Sequence, residues 1–151
     1  MKLKILVGNG GKIGRLALPF LIIGLILNFI YPSIFSVGGP TKTMAVISIL
    51  ILIPGLTVWA WSVILIVTKI PRKELITSGP YSLVKHPLYT GVALLVVPWV
   101  GILLNSWLGI LIGLVVYIGS RIYSPQEEEI LAKIFGKSWA DYDKKVKIPW
   151  L

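Results

Sequence analysis

Polar residues interrupt this chain in few places, leaving four apolar runs, approximately Leu16 to Phe35, Met44 to Val67, Leu88 to Leu104 and Trp107 to Tyr123. Within each run the apolar residues are continuous rather than confined to one helical face, the pattern that lipid on all sides requires. The first two runs have roughly 20 residues or more, enough to cross a hydrocarbon core about 30 Å thick; the last two have about 17 each, at the lower limit. Only Asn105 and Ser106 separate that last pair. So short a link forces a tight antiparallel helical hairpin. The pattern predicts one all-α integral membrane domain over residues 1–151, with four transmembrane helices, the last two a short hairpin. Pro54 and Pro98 fall inside spans and are expected as tolerated kinks.

A different pattern follows the fourth run. Ser124-Pro125-Gln126-Glu127 has the form of a helix start, with Ser as N-cap, Pro at the first helical position and Glu three after the cap. Leu131, Phe135, Trp139, Tyr142 and Val146 then form an apolar stripe opposed by Lys133, Lys137, Asp141 and Lys144. Gly136 is expected to interrupt this amphipathic helical tail, with Ser138 capping a second short helix. The tail should lie along the membrane surface or pack back onto the central loop.

Composition agrees with this reading, since 56% of residues are hydrophobic and 14% charged, against about a quarter charged in soluble domains. The first run has no small-residue cleavage site after it and reads as a retained helix, not a signal peptide. The net charge of +9 raises nucleic acid as a partner. Basic residues gather instead at the ends of the apolar runs, which points to membrane lipids and not to nucleic acid. Lys2, Lys4, Lys12 and Arg15 precede the first run, Lys69, Arg72, Lys73 and Lys85 lie between the second and third, and Lys42 alone joins the first two. This asymmetry places both termini, the central loop and the tail in the cytoplasm. With no cysteine and one histidine, thiolate chemistry and histidine-rich metal clusters are excluded.

The densest chemistry lies between Lys73 and Gly91. A connector needs Gly79 and Pro80 to turn, but not Tyr81, His86, Pro87 and Tyr89 as well. Pro87 suits the first turn of the third span, and that helix N-terminus favours an anion. By itself His86 reads equally well as an interfacial side chain bonding a headgroup or a carbonyl. Glu127, Glu128 and Glu129 form the other cluster. Successive helical residues are about 100° apart, so at most two of the three face one pocket. Glu127 is already explained by the capping box and Glu129 by a solvated face, so Glu127 or Glu128 is the candidate for holding an ammonium group, and spacing does not choose.

Leu75, Thr77, Gly79 and Tyr81, then Lys85, His86, Pro87 and Tyr89, and later Glu127, Glu128, Leu131, Phe135, Gly136, Tyr142 and Val146 recur in order and spacing in a known pattern. On these residues the chain resembles the isoprenylcysteine carboxyl methyltransferase family. Those are integral membrane enzymes that use S-adenosylmethionine and are related to phospholipid methyltransferases. The resemblance implies that the cofactor is held by Lys73, Glu74, Leu75, Ile76, Tyr81, His86, Pro87, Leu88, Tyr89 and Glu127, with Glu128 beside it. It implies methyl transfer to a lipophilic small-molecule or lipidated substrate, foremost the carboxylate of a prenylcysteine. Alternatives are a phospholipid amine N-methyltransferase, an NADPH-dependent sterol reductase-like protein and a non-catalytic four-span scaffold.

Three positions depart from the family pattern. Lys85 stands for an arginine and lacks its bidentate fork, and Trp139 stands for a tail tyrosine. Tyr123 stands where the family has a substrate-side arginine. Arg121, two residues earlier, is about 200° away around an unbroken helix, and reaches a substrate carboxylate only if Pro125 shifts the register.

Overall fold

A computed structural model describes residues 9–39, 41–149 and 151, and every regular element among them is helical. Lys2 and Lys4, two of the cations that bear on orientation, lie outside the described residues. Helix α1, Gly10–Ile30, starts and ends earlier than the first apolar run. Its end is set by Pro32, whose ring disfavours helical angles in the residue before it. Tyr31 accordingly leaves the helix, at φ −127° and ψ 63°, and Pro32–Phe35 forms a separate turn, α2. The expected single span from Leu16 to Phe35 is thereby corrected.

Helix α3, Lys42–Lys69, is capped by Thr41, whose Oγ1 accepts from Met44 N at 3.2 Å, and runs on through Pro54. A 3-10 turn, Ile70–Arg72, extends it. Helix α4, Pro87–Leu103, begins with Pro87 as expected but contains a π-helical stretch, Val92–Val96, immediately before Pro98. A proline can neither donate to the carbonyl four residues back nor fit close to it, and a widened turn relieves both problems.

Helix α5, Leu108–Phe135, is the main departure from expectation. It passes through Ser124 and Pro125 without stopping, so there is no helix restart and no capping box. One missing N–H costs a single bond, whereas the surrounding turns are held by α1, which packs closely enough that a Cβ at Gly119 would stand 3.0 Å from Leu16. Asn9 Nδ2 also donates to the Tyr123 carbonyl at 2.6 Å. The helix ends at Gly136, with φ 51°. A short helix α6, Lys137–Asp143, follows with Ser138 inside it and not as its cap.

Three of these helices, α1, α3 and α5, are long and apolar enough to cross a membrane, and α4 is a shorter apolar helix. Large hydrophobic side chains such as Phe29 (88% exposed) and Leu50 (63%) cover the outside, a surface that water does not tolerate at this extent. α5 lies between α1 and α4, and α4 lies between α5 and α3. The α4–α5 hairpin is close-packed: a Cβ on Gly101 would stand 2.6 Å from Gly109 Cα. Asn105 closes the hairpin at φ 59°.

Polar groups at that far end satisfy one another. Ser106 Oγ donates to Asn28 Oδ1 at 2.8 Å, Gly39 N donates to Asn105 Oδ1 at 2.8 Å, and Trp107 Nε1 donates to the Ile34 carbonyl at 2.7 Å. The helices alternate in direction, so Lys12, Arg15, Lys69, Arg72, Lys73 and Lys85 gather at the opposite end, while Lys42 stands at this one.

Candidate active site

At the basic end, the first turn of α4 faces the last turns of α5. Having passed Pro125 without a break, α5 carries Glu127 and Glu128 beyond the apolar segment that ends near Tyr123. Glu128 Oε2 accepts from Lys85 Nζ at 2.8 Å, and Glu128 Oε1 lies 3.1 Å from His86 Nε2. Lys85 also meets Asp143 Oδ1 of α6 at 2.8 Å. Burial by itself favours the neutral acid. Hydrogen bonds from His86 and Lys85, with the charge of Lys85, outweigh it and hold the Glu128 carboxyl down at about 2. Burial likewise opposes the charge on Lys85, yet the bonds to Asp143 and Glu128 win and raise it above the ordinary lysine range.

An ionised carboxylate only accepts, so the Glu128 contact requires an N–H on Nε2 of His86; in the neutral ring that tautomer carries its lone pair on Nδ1. His86 is buried, and makes no side-chain cap bond to α4. Its ring stacks on Tyr89 with centroids 6.0 Å apart.

Glu127 has different company. Tyr89 donates its hydroxyl to Glu127 Oε2 at a long 3.4 Å, and no cation pairs with Glu127 among the described residues. Burial, followed by the negative field of Glu127, raises the Tyr81 hydroxyl far above the ordinary phenol range, so Tyr81 stays a donor. The next residue back on α5, Gln126, accepts from Lys12 Nζ at 2.8 Å, and that ammonium stands 5.6 Å from the centre of the Tyr123 ring.

The tail packs back onto the central loop, one of the two arrangements that its stripe allowed. Trp139, Tyr142 and Val146 form a buried cluster against Leu75, Leu131 and Phe135. Tyr142 donates to the Tyr81 carbonyl at 2.8 Å and Ile148 N to the Leu83 carbonyl at 2.8 Å.

The expected site residues thus divide. Tyr81, His86, Tyr89, Glu127 and Glu128 converge, with Pro87 buried and Leu88 half-buried in the α4 turn that presents them. Leu75 and Ile76 pack in the interior, Lys73 is exposed at φ 58°, and Glu74 bridges Lys69 at 3.6 Å. Arg121 is exposed, about two turns before Glu128, and pairs with no carboxylate among the described residues. Because α5 does not change register at Pro125, Arg121 is not turned to the place of Tyr123. Sequence reasoning missed Asp143 and Asn9, which meet their partners only through tertiary packing; the one signal was Asn9 immediately before a helix.

A family model described as phospholipid methyltransferase matches residues 42–138. No curated protein and no solved structure matches the chain. The model spans more than half of the sequence and takes in every residue of the Lys85, His86, Tyr89, Glu127 and Glu128 cluster, and the chain belongs to the phospholipid methyltransferase family.

Proposed function

We propose that this protein transfers a methyl group from S-adenosylmethionine to the amine headgroup of a membrane phospholipid, at a site facing the cytoplasm. Membership of the family implies an S-adenosylmethionine-dependent methyltransferase acting on a lipid-related substrate. The observation that carries the reading is Glu127, a half-buried carboxylate flanked by two tyrosines and lacking a cationic partner among the described residues in a chain of net charge +9. Its fit is to a ligand that brings its own positive charge. The cofactor has an α-ammonium group and a sulfonium, and the faces of Tyr89 and Tyr81 suit a cation as well.

Glu127, Tyr81 and Tyr89 are the residues that would hold the cofactor. When bound, it supplies an electrophilic methyl group whose departure returns the bonding electrons to sulfur. The protein's remaining tasks are to align the acceptor, exclude water and accept a proton. A phospholipid amine is protonated at neutral pH and must lose that proton to expose its lone pair. His86, whose Nε2 faces Glu128, is the base this arrangement offers, through Nδ1 of its neutral form.

A carboxylate acceptor is less well served. It calls for a cation beside His86 and Glu128, where Lys85 is already paired twice, and Tyr123 stands where an arginine was expected. An acceptor that carries a phosphate suits Lys12, which stands beside Gln126 one residue from Glu127 and lacks a carboxylate partner among the described residues. The test is a methylation assay in lipid nanodiscs with labelled cofactor, offering phosphatidylethanolamine and a prenylcysteine in parallel. Label in the phospholipid amine is expected. Label in the prenylcysteine alone would reverse the choice of acceptor, and no calorimetric binding of S-adenosylmethionine or S-adenosylhomocysteine would remove the enzyme reading.

A further inference from the structure

The cluster occupies one face of the first turn of α4, and the other face of that turn borders a separate cavity. This cavity, about 790 Å³, lies between α3 and α4 and is walled by Ile53, Trp61, Pro87 and Leu94, with Ile148 and Leu151 of the C-terminal strap at one end. No charged side chain lines it among the described residues. Its size falls within the roughly 300–1,000 Å³ typical of small-molecule sites.

We propose that this cavity is a binding slot for an acyl chain of an anionic phospholipid, separate from the methyl-transfer site and independent of the reading given above. Two observations choose the occupant. The flanks of the slot are exposed apolar side chains of the spans, Ile53 at 59% and Leu94 at 40%, so its open side meets the hydrocarbon of the bilayer. The strap that closes its end carries Lys144, Lys145 and Lys147, all exposed, directly before Ile148. A chain lying in the slot with its phosphate at that end meets three cations where the membrane surface lies, and each such lysine attracts an anionic headgroup.

The slot is also built rather than incidental. Gly79, at φ 63°, brings the central loop so close to Trp61 that a Cβ there would stand 2.9 Å from the indole. Ile148 N is tied to the Leu83 carbonyl of the same loop at 2.8 Å. The loop and strap therefore form a fixed end wall.

The test uses the full chain in nanodiscs containing a trace phosphatidylglycerol with a photoactivatable diazirine on its acyl chain, followed by peptide mapping. Labelling is expected to concentrate on residues 53–61 and 79–95, at least five-fold above the equally lipid-exposed residues 18–26 of α1. Ile53→Trp and Leu94→Trp, both at exposed positions, should cut that labelling at least five-fold while binding S-adenosylhomocysteine as the wild type does. Lys144→Gln, Lys145→Gln and Lys147→Gln together should cut labelling by the phosphatidylglycerol probe several-fold but not labelling by a diazirine fatty alcohol. Even labelling over all spans, or tryptophan variants labelled like the wild type, would overturn the slot. Equal loss of both probes in the triple variant, or loss of neither, would overturn the anionic lipid. Failure of cofactor binding with slot labelling intact would count against methyl transfer alone.

Discussion

The two ends of the helix bundle both gather polar side chains, and they do so in opposite ways. At the hairpin end, Ser106, Asn28, Asn105 and Trp107 are neutral and bond one another or nearby backbone. Pairing of this kind removes the cost of burying polar groups and leaves little for a ligand to add. At the basic end the groups are charged and the balance is uneven. Glu128 is shared by Lys85 and His86, while Glu127, the next residue, meets only a distant tyrosine hydroxyl among the described residues. The difference separates structural polar burial from a site: the former is internally complete, and the latter keeps a charge in reserve.

The comparison breaks first at Glu127. Glu127→Gln is expected to weaken S-adenosylhomocysteine binding tenfold or more, about 1.4 kcal/mol, with an unchanged melting temperature. Unchanged affinity by titration calorimetry would take the reserve charge out of the site. Glu128→Gln should act on the fold as well, because it strips Lys85 and His86 of their shared anion, and the loss of a buried partner costs about 1–3 kcal/mol.

The same residue sets an acid dependence. The folded Glu128 titrates at about 2, below its ordinary 4.5. Its contribution to stability is therefore complete above pH 4.5 and is lost as the pH falls toward 2. Denaturant melts over that window should show stability rising with pH in the wild type, and a shallower rise in Glu128→Gln.

At the other end Ser106→Ala removes one neutral bond and should cost about 1 kcal/mol of stability with no change in cofactor affinity. A fall in affinity there would mean that the two ends are not separable. The smallest effect is expected from Asp143→Asn, whose partner Lys85 retains Glu128. The Asp143 carboxylate is 46% exposed, and a pair of that kind contributes about 0.2–1 kcal/mol.

How much of this was legible in the sequence depends on the range of the interactions. The start of α4 at Pro87 follows from a local rule, a proline in the first turn, and the start of α3 from another that the hydrophobic pattern did not register, the Thr41 cap. The helix start at Ser124-Pro125 obeyed the same rules and was wrong. There the local signal for a cap was outweighed by α1 packing along α5, a contact between residues more than a hundred positions apart. The choice between Glu127 and Glu128 was likewise closed to spacing, since both sit on one helix and differ by a single step of rotation.

By itself, the sequence determined that this chain is helical, with helices long and apolar enough to cross a membrane, and singled out the stretch from Tyr81 to Tyr89 and the paired glutamates as candidates for its chemistry. Those properties reside in hydrophobic continuity and in residue types, which are written along the chain. Only the tertiary structure decided that Glu128 is taken by Lys85 and His86 while Glu127 meets no cation among the described residues, that α5 stays whole through Pro125, and that the tail closes over the loop. Each of these turns on which charges and surfaces meet across the fold, and a charge becomes spare or satisfied only when its neighbours are in place.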